Sequence, residues 1–391
     1  MGLRVGVVTG ESGPEAGGAW TFTATLIEAI ETAPNRHTFV LLDRLSGNQQ
    51  KPNKRWGSEA VLQMRRCLGL FRLKMSEAEK LESLARTEQI DLIWFLKPSS
   101  APLRIPYIAT VWDLEHRSQP YFPEVSTTGW SWSERESVYN ALLPRASMII
   151  TGTKAGKAEV AHYYRVNPAN IMVVAFPAPI VTAPAQPAAG LGIKGKYSIR
   201  SDFLLYPAQF WPHKNHVNLL RALKLLREQY NLDLSLVLTG SDKGNREHVM
   251  KEIIELGLGN YVFVLGFIPR EDLVALYQAA TALTFAGFFG PDNFPPMEAF
   301  GLGCPVVASK VAGAEEQMGA AALLFDPGDP SDIAEKIASL YSDPALRGRL
   351  IKEGYEIAKV RTPQAYIDAI CSFLDRFETI KRCWGANYEH T

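Results

Sequence analysis

With 391 residues, 47% of them hydrophobic and 21% charged, the chain is too long for one ordinary core and has the apolar content for two. Its 41 basic residues equal its 41 acidic ones, which excludes attraction of nucleic acid by an overall positive field. No apolar run reaches the roughly 18 residues of a membrane span, the opening MGLRVGVVTG lacks a signal-peptide layout, and Cys67, Cys304, Cys371 and Cys383 have neither disulfide nor metal spacing, so a cytoplasmic protein without structural metal is expected.

Residues 4–9 (RVGVVT) form a β-branched run ending in a loop that holds Gly10, Gly13, Gly17 and Gly18, and helical periodicity begins at Ala19. Strand, loop and helix make one βα unit. Gly17 and Gly18 offer backbone donors at the helix start, with a tight turn that binds nothing as the equal alternative. The spacing is not GxGxxG, so a dinucleotide-binding reading loses its main support. Residues 38–43 (TFVLLD), 92–96 (LIWFL), 107–112 (YIATVW) and 148–151 read as further buried strands, and their alternation with helical segments implies a parallel sheet.

Residues 51–74 contain Lys51, Lys54, Arg55, Arg65, Arg66, Arg72 and Lys74 among Trp56, Leu62, Leu68 and Phe71. A solvated helix face is the plainer reading, and peripheral contact with a membrane or an anionic lipid-linked acceptor the sharper one. Asp113 and His116 follow the strand 107–112, where ligands of an open parallel sheet collect, which makes both candidates for site chemistry. Residues 134–145 read as a helix, and residues 176–195, rich in proline and glycine, as the linker between domains.

A second α/β series follows, with strand candidates at 203–206, 234–239, 261–265, 282–285, 306–309 and 322–325 and helices between them. The domains are therefore expected at 1–190 and 191–371, with a terminal helix at about 372–391 returning to the first. After the first of these strands, PAQFWPHKNH places Lys214 in a strand-to-helix turn, where an ammonium group can relieve charge building up on a diphosphate. The stretch FAGFFGPDNFPPMEAFGLGCPVVAS (285–309) reads as loop, short helix and buried strand. Pro295 and Pro296 suit a first turn; Gly287, Gly290 and Asn293 ahead of it can bring N–H groups together for a phosphate; Glu298 lies one turn in.

The turn from Pro207 to His216, the run from Asn293 to Val307, and the Val311–Glu316 turn followed by LLFDP (323–327) together resemble the retaining family-4 glycosyltransferases of the GT-B fold. The resemblance implies two Rossmann-like, doubly wound parallel-sheet domains facing across a cleft. It also implies a nucleotide diphosphate sugar, a UDP-sugar favoured, held mostly by the second domain, and a glycan or lipid-linked acceptor held by the first. No metal and no cofactor beyond the nucleotide sugar are implied. Carried over by motif, Lys214 would contact the diphosphate, Glu298 the ribose hydroxyls, and Asn293 and Phe294 the phosphates or sugar. Gly17 and Gly18 would be the first-domain glycine loop, and Gly266, Phe267 and Ile268 the loop that reads the base.

Three departures stand out. Gly290 occupies the place of a first glutamate, and Asp292 is the candidate to replace it. Gln209 stands where a second basic residue is common. Trp112-Asp113 replaces a His-Asp pair, leaving His116 as the nearest candidate for the histidine's role. Hexose transfer to a hydroxyl in polysaccharide biosynthesis is the leading expectation. An epimerase or phosphorylase on the same plan, or a sugar-nucleotide-binding module without catalysis, are the alternatives.

Overall fold

The computed structural model describes residues 2–10, 13, 17–32, 35–43, 76–97, 103–178, 187–290 and 292–384, with side chains left out for 187–191. The basic stretch 51–74 lies outside the described residues. Among the described residues twelve strands build two six-stranded sheets, and every strand pairing is parallel. The first contains β1 (Arg4–Val8), β2 (Thr38–Leu41), β3 (Leu92–Phe95), β4 (Tyr107–Thr110), β5 (Met148–Thr151) and β6 (Ile171–Val173), in the order β2-β1-β3-β4-β5-β6. The second contains β7 (Asp202–Pro207), β8 (Leu234–Thr239), β9 (Val262–Gly266), β10 (Ala282–Phe285), β11 (Val306–Ser309) and β12 (Ala322–Phe325), in the order β12-β11-β10-β7-β8-β9.

The near-continuous apolar runs read from the sequence become central strands because helices cover both faces; β3, β4, β8, β10 and β11 are buried along their whole length. In the second sheet the chain moves from β7 out to β9 and then returns to the far side of β7 with β10. The reversal opens a crevice at the carboxyl ends of β7 and β10, and the Lys214 turn and the segment 286–290 leave from those ends.

Two segments differ from expectation. β6 is three residues long, too short to register as a periodic run. Residues 187–196, read as linker, form the helix Pro187–Lys196: proline is tolerated in the first turn, and Ile193 joins the second core. Lys196 and the Tyr197 hydroxyl both reach Asp272, at 2.5 Å, and fasten this helix to Arg270–Ala279.

The helix Pro363–Lys381 leaves the second sheet and joins the first core. Tyr366, Ile367, Ile370, Phe373, Leu374 and Phe377 pack into the cluster that holds Phe22, Leu26 and Trp94. Burying an apolar side chain contributes about 1.5–3 kcal/mol, and the part-buried Arg36–Glu378 and Lys381–Asp91 pairs lie on the flank of this stripe. Among the described residues no helix is long and apolar enough to cross a membrane.

Candidate active site

The turn after β7 is fixed by its own buried polar groups. The Tyr206 hydroxyl donates to the Lys214 carbonyl (2.7 Å), and Asn215, in left-handed backbone at φ 54°, donates through Nδ2 to the carbonyls of Ala286 (3.0 Å) and Pro327 (2.7 Å). Lys214 is thereby aimed along the crevice, its Nζ 5.0 Å from the centre of the Phe285 ring. It makes no ion pair within 4.0 Å among the described residues. Burial holds its pKa down to about 8, with Asp113 and Glu124 pulling it part of the way back. A cation kept this short of partners is ready for an anionic ligand.

The helix Phe294–Leu302 begins as expected, with Pro295 and Pro296 in its first turn, and ends at Gly303, whose φ of 69° suits the left-handed cap. Its mouth offers fewer donors than the sequence suggests. The Asn293 N–H goes to Gln317 Oε1 (3.2 Å) and the two prolines have none, so Phe294 is the remaining amide donor of 293–296. Asn293 nevertheless lines the cavity together with Phe294.

Facing this mouth is the start of the first-domain helix Gly18–Thr32. A β-carbon on Gly18 would lie 3.2 Å from Phe294, so this glycine allows the domains to approach, while Gly17 beside it has the left-handed φ of 65° that favours glycine. The Phe294 ring crosses into the first domain, 6.0 Å from the ring centres of Phe22 and Phe176. Gln209 accepts from Trp211 Nε1 (3.0 Å) and donates to Ser241 Oγ (3.3 Å).

Two adjoining cavities result. One, of about 390 Å³, is lined by Lys214, Asp113, Asp292, Asn293, Phe294 and the glycines, with Trp112, Glu124, Arg135 and His213. The other, of about 160 Å³, is lined by Glu298, Gly266, Phe267, Ile268, Thr239 and Ser241. They share Gly17, Gly18, Pro207, Ala208, Gln209, Phe294 and Pro295 as a common wall. Glu298 accepts from the buried Tyr277 hydroxyl (2.8 Å), and burial raises its pKa. Phe267 is 65% exposed, an aromatic surface left open at the rim.

Asp292 is the least satisfied group of the larger cavity. Both carboxyl oxygens are shielded from solvent and without a hydrogen-bond partner among the described residues. Burial pushes its pKa up to about 7, against the pull of Arg361. Asp113 accepts from the Glu115 N–H (3.2 Å) and is 3.8 Å from Arg135 Nη1. Among the described residues no group of three or more His, Cys, Asp and Glu side chains is arranged to hold a metal ion.

His116 is elsewhere. It is wholly buried, outside the lining of either cavity, and its Nε2 meets Glu136 Oε1 at 2.8 Å and the Tyr164 hydroxyl at 3.2 Å. The Glu115–Ser118 helix turns it inward, against Tyr139. The histidine in the cleft is His213, stacked on Phe289 at 4.0 Å. The sequence reading missed it, although its place next to Lys214 was the available signal. Glu124 and Arg135 gave none, because only the tertiary fold brings them here.

The family described as Glycosyl transferases group 1 matches residues 194–357, and Glycosyltransferase Family 4 matches residues 16–175. The O-antigen chain mannosyltransferase B of Escherichia coli is 29% identical over 56% of this chain and 57% of its own length. A D-inositol 3-phosphate glycosyltransferase of Corynebacterium efficiens is 26% identical over 66% of this chain and 62% of its own. The match therefore spans about three fifths of either relative. In fold, the chain is similar to Anabaena HepE, solved in complex with UDP and glucose, with a TM-score of 0.71, 19% identity, and coverage of 96% of this chain and 100% of that one. With one family match on each of two facing parallel-sheet domains, the chain belongs to the family-4-like glycosyltransferases of the GT-B fold.

Proposed function

We propose that the protein transfers a hexose from a nucleotide diphosphate sugar, with a UDP-sugar first in line, to a hydroxyl of a glycan or lipid-linked glycan in polysaccharide biosynthesis, with retention of anomeric configuration. The observation that carries this reading is the Lys214 ammonium, without an ion-pair partner among the described residues, in a cavity that shares a wall with the Glu298 compartment. The diphosphate lies against Lys214, the ribose against Glu298, and the base along Gly266, Phe267 and Ile268. Asp292 and Asp113 face the sugar and the acceptor from opposite domains.

In the transfer step the acceptor oxygen bonds to the anomeric carbon as the bond from that carbon to the β-phosphate oxygen breaks, on the same face of the sugar. The acceptor proton passes to the departing phosphate oxygen, so nothing is left unbalanced. The protein contributes positioning and relief of the charge on the leaving diphosphate. The acceptor side of the cleft is the first domain, and the site of action is the cytoplasm or the inner face of a membrane. The mannosyltransferase relative adds mannose to the sugars worth offering.

The test is a transfer assay with UDP-glucose, UDP-N-acetylglucosamine and GDP-mannose against a panel of glycosyl acceptors, with product linkage and anomer assigned by NMR. Transfer from a UDP-sugar with retained configuration is expected. Transfer from GDP-mannose alone overturns the choice of base, an inverted product overturns the mechanism, and isomerised donor without acceptor points to an epimerase.

A further inference from the structure

Glu124 belongs to the first domain, in the short helix Pro123–Ser126, yet its hydrogen bonds are made to the second. Its Oε1 accepts the backbone N–H of His213 (2.8 Å) and also meets His213 Nδ1. Burial and the neighbouring Lys214 hold that imidazole neutral, with its pKa lowered to about 4, so Nδ1 can carry the proton and donate it to the carboxylate. The pair is closed over by aromatic rings: His213 stacks on Phe289 at 4.0 Å, and Phe122 is 5.4 Å from Phe289.

One further contact comes from the same first-domain stretch. Gln119 Nε2 donates to the Phe288 carbonyl (3.1 Å). Residues 119–124 therefore grip the two second-domain segments that leave the ends of β7 and β10, the one carrying Lys214 and the one carrying Phe288. Glu124 Oε2 is shielded from solvent and has no partner among the described residues.

Building on the glycosyl-transfer reading, we propose that Glu124 is a positioning residue for Lys214: a first-domain carboxylate that fixes the lysine turn through His213 when the two domains close. It does not touch the donor; it acts by fixing the residue before the one that does. Closure and the placement of the charge-relieving ammonium thereby become one event.

The experiment compares full-length wild type with Glu124→Gln, Glu124→Ala, His213→Ala and the Glu124→Gln/His213→Ala pair. In Glu124→Gln, kcat falls about tenfold to hundredfold while the Kd for uridine, which lacks the diphosphate that Lys214 would meet, stays within about twofold. The double variant is no slower than the slower single one, because both break one contact. Hydrogen exchange supplies a readout that needs no turnover: the amides of 208–216 exchange at least about tenfold faster in Glu124→Gln than in wild type. Unchanged kcat, losses that multiply, or unchanged exchange in that turn would each overturn the assignment. A wild type that turns over no donor at all refutes the transfer reading instead, and the exchange result still decides the role of Glu124.

Discussion

Gly152 of the first domain and Asp292 of the second meet across the cleft so closely that a β-carbon on Gly152 would lie 1.8 Å from Asp292 Oδ2. The absence of a side chain at 152 lets the carboxyl reach its place beside the donor cavity. Gly152→Ala should hold the domains apart or displace Asp292, at a cost of about 1–3 kcal/mol in the closed form, lowering kcat by about tenfold or more. UDP affinity should stay within about twofold, because Lys214 and Glu298 are untouched. Steady-state kinetics beside calorimetric titration of UDP checks this; equal losses in both would show that Gly152 supports the fold at large rather than closure.

Glu298 joins the buried Tyr277 hydroxyl at 2.8 Å and lines the compartment assigned to the nucleoside. Glu298→Gln keeps an acceptor for Tyr277 and removes the charge. Losing a charged hydrogen bond of about 1.5–3 kcal/mol raises the Kd for a UDP-sugar roughly tenfold to more than a hundredfold, while melting temperature changes little. Calorimetry with UDP and with uridine separates the ribose contact from the diphosphate, and an unchanged Kd for both places Glu298 outside the nucleoside site.

The Lys214 ammonium, with its pKa depressed to about 8, gives the cleft a pH dependence of known sign. Below that value the group is charged and attracts the diphosphate; as pH rises through it the charge is lost from the free protein. The Kd for UDP-glucose, whose diphosphate keeps a constant charge in this range, should rise above pH 8 towards a limit of about tenfold per unit. Lys214→Met should flatten that rise. An equal rise in both proteins would assign it to another group.

Much of this organisation is legible in the sequence, for a physical reason. Strands buried on both faces show as short apolar runs, so 92–96, 234–239 and 306–309 declare themselves, and the turn and loop bearing Lys214 and Asp292 follow strands directly. β6 and the helix from Pro187 do not, the first being too brief to have a period and the second depending on Ile193 finding a tertiary pocket. His116 misled because sequence gives its distance from a strand end but not which way a four-residue helix turns it. The cross-domain contact between Glu124 and His213 joins residues 89 positions apart, a separation over which no local pattern carries information.

The most direct test of the account is the turnover of Lys214→Ala with a UDP-sugar and a competent acceptor, measured beside wild type at saturating donor. The ammonium acts on charge that grows as the glycosidic bond to the diphosphate breaks, so kcat should fall by about two to three orders of magnitude with the melting temperature nearly unchanged. Turnover within about threefold of wild type would contradict the claim that this one cation stabilises the leaving group.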